Sequence, residues 1–125
     1  MLGDKTAIAT IGVKNIEDAK RFYEGILGLT NVFENSNGVL YKSGNSNVLV
    51  YASPFAGTNK ATAATWAVGE DIESIIDELK AKGITFETYD IPGDITEGIL
   101  HISGNIKEAS FLDPDGNNLS IVNLT

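Results

Sequence analysis

Phe111-Leu112-Asp113-Pro114-Asp115-Gly116-Asn117-Asn118-Leu119-Ser120-Ile121-Val122 sets two apolar runs on either side of a four-residue reversal. Pro114 fixes φ at the second turn position, Asp113 and Asp115 offer side-chain acceptors to the local backbone, and Gly116 takes positive φ without steric cost. The stretch predicts a tight β-hairpin. In its second strand Leu119, Ile121 and Asn123 point one way and Asn118, Ser120 and Val122 the other, because side chains alternate along a strand. What Ser120 faces then becomes the central question for function.

Working outward from the hairpin, Ile99 to Ser110 is extended chain broken at Ser103-Gly104-Asn105. Glu87 to Gly98 carries Pro92-Gly93 and no periodicity, and an irregular segment of that length in a compact domain is expected to cover a site. Upstream, Thr62 to Val68 reads as a strand and Asp71 as the cap of a helix bearing Ile72, Ile75, Ile76 and Leu79, which Gly83 ends before Ile84-Thr85-Phe86. The first half has the same build. Thr6 to Val13 is a β-type run, Asn15 caps a helix with Ile16, Ala19, Phe22, Tyr23, Ile26 and Leu27 on one face, and Gly28 stops it. Asn31 to Ser36 and Val39 to Ser43 follow, joined by Asn37-Gly38 as a type I′ turn, and Gly44-Asn45-Ser46-Asn47 reverses into Val48 to Ala52.

Val13 and Val68 stand as far apart as Gly28 and Gly83, while Ile16-Glu17 answers to Ile72-Glu73 one residue later. This is the mark of a duplicated unit. The expected fold is α+β: one domain over residues 1–125, with a first βαβββ module at 5–52, a linker at 53–60 and a second module at 61–125. The linker, with Pro54 and Gly57, is too short and apolar to tether independent domains.

The chain has 125 residues, enough for one real core, and its balance of 42% hydrophobic to 21% charged residues excludes a disordered chain. A net charge of -8, from 17 acidic against 9 basic side chains, repels phosphate backbones, so nucleic acid is not an expected partner. Such charge also serves solubility. No stretch has the roughly 20 apolar residues of a membrane helix, and Met1 to Thr10 lacks the pattern of a signal peptide, so a cytoplasmic protein with no membrane partner is expected. Without cysteine there is no disulfide, thiolate nucleophile or Cys metal site. Gly-rich phosphate loops, Walker-type runs and a Ser-His-Asp order are likewise missing, which leaves kinase, hydrolase and dinucleotide chemistry unsupported.

Two βαβββ units with Phe22-Tyr23 and Leu27-Gly28-Leu29 in the first helix, and Asp113-Pro114-Asp115-Gly116-Asn117 before the last strand, resemble the vicinal-oxygen-chelate superfamily. That group includes glyoxalase I, extradiol dioxygenases and the bleomycin-resistance proteins. The stretch Tyr51 to Thr58 is similar to a subgroup without an assigned substrate. The resemblance spans essentially the whole chain and implies that the modules curl into a cup-like mixed sheet, with helices outside and a ligand inside. In the enzymes of the superfamily a divalent metal sits in the cup, held from the first strand of each unit, the last strand of the first unit and the final strand. Carried over by position, these sites fall on Ile8, Ala63 and Ser120, with the fourth on Val50 or Tyr51. Ile8 and Ala63 have no lone pair, and a neutral hydroxyl is a weak donor beside carboxylate or imidazole. With His101 as the only histidine, a two-His site cannot be built within one chain. The expectation is therefore no metal and no cofactor.

By strand alternation Thr6, Ile8 and Thr10 line the cup from the first strand, and Ala63, Thr65 and Ala67 from the fifth, which turns Trp66 toward the helices. Tyr41, Tyr51 and Phe111 can face either side. The candidate ligand-binding set is Ile8, Thr10, Tyr41, Tyr51, Ala63, Thr65, His101 and Ser120. His101 is also the weak candidate for catalysis, as the one side chain that titrates near neutral pH unaided; its alternative is a satisfied polar residue. Glu97 and Asp94 are loop acids that a lid would carry, or simply solvated. The reading that results is a metal-free small-molecule-binding homodimer, similar in design to the antibiotic-sequestering members of the superfamily. The rival is a glyoxalase-like lyase, isomerase or dioxygenase that finds its metal ligands elsewhere, or a proton-transfer catalyst using His101.

Overall fold

A computed structural model of the chain describes residues 1–87, 94–96, 99–101 and 106–125. After a single 3-10 turn, β1 (Ala9–Val13) leads into α1 (Ile16–Lys20), which widens into a π-helical stretch (Arg21–Ile26). Strands β2 (Thr30–Asn35), β3 (Gly38–Ser43) and β4 (Ser46–Ala52) complete the first half. The second half runs β5 (Thr62–Ala67), α2 (Ile72–Ala81), β6 (Phe86–Glu87), β7 (Asp94–Thr96), β8 (Ile99–His101), β9 (Lys107–Leu112) and β10 (Asn118–Val122). The sheets have orders β1-β4-β3-β2 and β5-β10-β9-β8-β7, with β6 also pairing β9. In both, the first strand lies parallel to the last, β1 to β4 and β5 to β10, while the other neighbours are antiparallel. This is the expected α+β architecture of two mixed sheets and two helices, open rather than closed into a barrel. No described helix is long and apolar enough to cross a membrane.

Alternation along the strands decides which face carries the core. Ile11, Val39 and Val50 lie in one lateral row and Tyr41 and Val48 in the next, all buried. In the second sheet Leu119 pairs with Phe111 and Ala64, and Ile121 with Ala109 and Trp66, on the face that meets Ile72, Ile76 and Leu79 of α2. The two halves share a single core. The Phe22 ring of the first half lies 6.5 Å from that of Phe111, and Tyr23 stacks on Tyr41 at 6.2 Å. Each buried aromatic or aliphatic side chain of this kind contributes roughly 1.5–3 kcal/mol.

Four local expectations are corrected. The first helix does not run as a plain α-helix to Gly28: it turns with a wider pitch, Leu27 N–H bonding the Phe22 carbonyl and Leu29 N–H that of Tyr23. The wider turn brings successive side chains closer in direction, so both Phe22 and Tyr23 reach the core. The β2–β3 turn is Ser36-Asn37 rather than Asn37-Gly38, because Asn35 pairs with Gly38 and its Oδ1 accepts both the Asn37 and Gly38 N–H groups. Gly38 is instead required by packing: a Cβ there would lie 2.4 Å from the Val50 carbonyl oxygen. Asp71 stands at the N-cap of α2 without a capping side-chain bond; Ser74 Oγ bonds its carbonyl instead. Finally, the segment from Glu87 to Gly98 is not wholly irregular, since Asp94–Thr96 pairs with β8. Glu97 lies outside the described residues.

The Asp113-Pro114-Asp115-Gly116 reversal forms as expected, with Gly116 at φ 89° and its N–H on the Asp113 carbonyl. It is also the point where distant parts of the chain are tied together. Asp113, 5% exposed, accepts from Tyr23 OH at 2.8 Å and from the Asn117 and Asp115 backbone N–H groups at 2.8 and 2.9 Å. Asn117 Nδ2 reaches both Asp113 Oδ2 and the Gly12 carbonyl, and its Oδ1 accepts the Gly57 N–H. Asp115 Oδ2 accepts the Lys14 N–H at 2.8 Å. The reversal thereby fastens β1, the first helix and the linker.

Burial, and then the Asp113 carboxylate, push the Tyr23 hydroxyl well above the ordinary tyrosine range. The native state keeps this proton while the unfolded chain gives it up near pH 10, so the contribution is complete below about pH 10 and is lost as pH rises beyond it. Tyr41, raised by burial and its bond to Glu24, acts in the same direction. Urea midpoints at about pH 8 and about pH 10.5 should therefore differ in the wild type, and Tyr23→Phe should remove part of the difference.

Candidate ligand-binding face

The faces of the sheets opposite the helices carry the candidate site. On the first sheet Thr10 pairs with Leu49 and Gly12 with Tyr51, and Leu49 pairs in turn with Leu40 and Leu40 with Phe33. These residues share a face because laterally paired side chains point the same way. The face is apolar and open: Phe33 is 60% exposed and Tyr51 39%. On the second sheet the central row is Thr65, Ser120, Ser110 and Glu87, taken from β5, β10, β9 and β6. Thr65 Oγ1 and Ser120 Oγ lie 2.8 Å apart, and Ser110 Oγ donates to Glu108 Oε1 at 3.3 Å. This sheet thus offers hydroxyls and two carboxylates where the first offers rings and aliphatic groups.

Of the sequence-derived candidates, the structure brings Thr65 and Ser120 into contact and sets Thr10 and Tyr51 on the corresponding face of the other sheet. Ile8 lies two residues before Thr10, just outside β1, and is 47% exposed. Ala63 is exposed beside the register irregularity at the start of the β5–β10 pairing. Tyr41 belongs to the opposite face: it is fully buried in the core and donates its hydroxyl to Glu24 Oε2, because it alternates in phase with Val39. Phe111 and Trp66 are on that core side as well. His101 closes β8, with its backbone paired to Asp94 and Lys107; its side chain lies outside the described residues. Ser110, Glu108 and Glu87 were not foreseen. Continuing the alternation from Ser120 across the hairpin would have found Ser110.

The four positions at which the resemblance implied metal ligands can now be tested against geometry. Of the two positions left open for the fourth ligand, Val50 points into the core and Tyr51 onto the open face. Ile8 and Ala63 have no donor atoms, and the Ser120 hydroxyl, 1% exposed, is already engaged with Thr65. Among the described residues no group of three or more His, Cys, Asp or Glu could hold a metal ion. At the carried-over positions Ile8, Ala63 and Ser120 the side chains do not offer the donors of a divalent metal site of the superfamily's kind.

Solved structures of similar fold include lactoylglutathione lyase from Agrobacterium tumefaciens, with a TM-score of 0.75 and 14% identity over 95% of this chain and 92% of that one. A bleomycin resistance determinant encoded on the transposon Tn5 superposes with a TM-score of 0.69 and 21% identity, covering 96% of this chain and 98% of that one. TnmS3, an antibiotic binding protein from Streptomyces sp. CB03234, gives 0.69 and 17% identity over 97% and 96%. No curated protein matches the sequence. The family model described as Glyoxalase/Bleomycin resistance protein/Dioxygenase superfamily matches residues 6–121, and with that span matched the chain belongs to this superfamily.

Proposed function

We propose that the protein binds a small organic molecule on the sheet faces opposite the helices without a metal, and sequesters it rather than transforming it. The observation that supports this is the engaged Thr65–Ser120 hydroxyl pair, Ser120 being the final-strand position at which the resemblance implies a metal ligand. Thr65 is the exposed hydroxyl of that row and can give or accept a hydrogen bond, with Ser120 and Ser110 buried behind it, and Tyr51, Leu49 and Phe33 supply apolar and aromatic contact, the mixture typical of organic-ligand sites. Glu87 and Glu108 border the hydroxyl row, which favours a ligand carrying positive charge or hydrogen-bond donors. The exposed Phe33, Ile8 and Tyr51 favour a homodimer in which a second copy covers part of the first sheet. The protein is expected to act in the cytoplasm.

Protein purified without chelator should contain well under one equivalent of zinc, nickel, manganese or iron. A thermal-shift screen of cationic and neutral polycyclic antibiotics should yield ligands that raise the midpoint with concentration. Thr65→Arg, at an exposed position of the row, should abolish that shift while retaining the native circular dichroism; because it also takes away the partner of the buried Ser120 hydroxyl, the unliganded midpoint should fall. Stoichiometric retained metal, or turnover of a bound compound, would overturn the reading.

A further inference from the structure

On the core side of the sheets, away from Thr65 and Ser120, the seam between the two halves holds a cavity of about 190 Å³. Its walls come from elements far apart in sequence, among them Leu29 ahead of β2, Ser43 at the end of β3, Trp66 on β5, Ile75 on α2 and Phe111 on β9. All the lining residues are apolar except Ser43, whose Oγ accepts the Trp66 indole N–H at 2.9 Å. A serine hydroxyl that accepts still has its own O–H to donate. Ser43 occupies the third core-facing position of β3, after Val39 and Tyr41, where another apolar side chain would have closed the seam.

An apolar space of about 150 Å³ is large enough for a benzene-sized guest. The space here is of that order and opens on one side to solvent, so a guest can enter without the core unfolding. An adjoining groove of about 380 Å³ shares Ser43, Trp66 and Val68 as wall, which gives a guest a route past the tryptophan edge. We propose that this cavity is a second binding site, distinct from the open sheet faces, for a compact uncharged apolar molecule of one ring bearing one hydrogen-bond acceptor. The acceptor takes the Ser43 O–H and the ring packs against Trp66 and Phe111. A charged guest is rejected, because the walls contain nothing to replace its water.

Trp66 is the chain's only tryptophan, so its emission reports on the wall that the cavity shares with the adjoining groove. Titration of the full chain with cyclohexanone should change that emission saturably and raise the thermal midpoint with concentration, whereas cyclohexylammonium should do neither. Intermolecular NOEs from the cyclohexanone ring to the Trp66 indole protons should appear at saturation, a readout that needs no variant. Ile75→Phe, which puts a ring into the cavity, should retain the native circular dichroism and weaken cyclohexanone by about tenfold or more; Val68→Leu fills from the other wall. A linear, unsaturable emission change, an equal response to cyclohexylammonium, missing NOEs, or undiminished affinity in a folded filling variant would each overturn the proposal. The adjoining groove has Thr65 in its wall, so the NOEs to the Trp66 indole and the loss of affinity in Ile75→Phe, a residue of the cavity alone, are the readouts that separate failure of this site from failure of the proposed ligand face.

Discussion

Asp113→Ala should lower the stability of the fold by about 3–5 kcal/mol, read as a shift in urea midpoint at unchanged m-value. The carboxylate is the common acceptor of the Tyr23 hydroxyl, the Asn117 and Asp115 backbone N–H groups and the Asn117 side-chain amide. Hydrogen bonds to a charged group are each worth about 1.5–3 kcal/mol, but they share one acceptor and do not add. The larger part of the cost comes from what is left behind: donors, most of them buried, that have lost their common acceptor. A double-mutant cycle with Tyr23→Phe should show strong coupling, because Tyr23 has no reason to be a tyrosine once its acceptor is gone. A measured loss below about 1 kcal/mol would mean that the tie between the halves has little energetic weight.

The second large effect concerns the linker. Gly57→Ala should destabilise by about 4 kcal/mol or more, enough to leave much of the protein unfolded at physiological temperature. Two independent costs coincide at this position. Its φ of 71° is a conformation that L side chains rarely adopt, and a Cβ built there would stand 1.8 Å from the Asp115 carbonyl oxygen. Backbone, unlike the end of a flexible side chain, cannot move aside without breaking the turn that Asp113 and Asn117 hold. Circular dichroism and solubility at about 37 °C would check it, with Gly44→Ala as control: Gly44 also has positive φ, at 58°, yet meets nothing within 4 Å.

The contrast between these glycines indicates what the sequence could convey. Turn chemistry at Gly28, Gly83 and Gly116 was legible because a single residue type answers a local conformational need, and all three have positive φ. The alternation around Ser120 was legible for the same reason, and with it the placement of Trp66 on the core side. Gly38 was misjudged because its requirement is tertiary: the Val50 carbonyl comes from another strand. Tyr41 was assigned to the ligand set because an isolated strand does not reveal which of its faces the sheet will bury, and only the pairing with Val48 decides it. The π-helical widening after Lys20 leaves no mark that periodicity could detect over six residues. The partnership of Ser110 with Ser120 required the hairpin register, and the cavity at the seam required both halves to be docked.

The knot at the last hairpin also has a temporal meaning. Asn117 holds the Gly12 carbonyl and Asp115 the Lys14 amide, contacts separated by 105 and 101 positions along the chain. During synthesis the first half must therefore wait, its leading strand and opening helix unfastened, until Asp113 to Asn117 have emerged. Such long-range closures slow folding. A ribosome stalled shortly before Asp113 would present a first half that proteases can still enter, and release of the final hairpin would act as the latch.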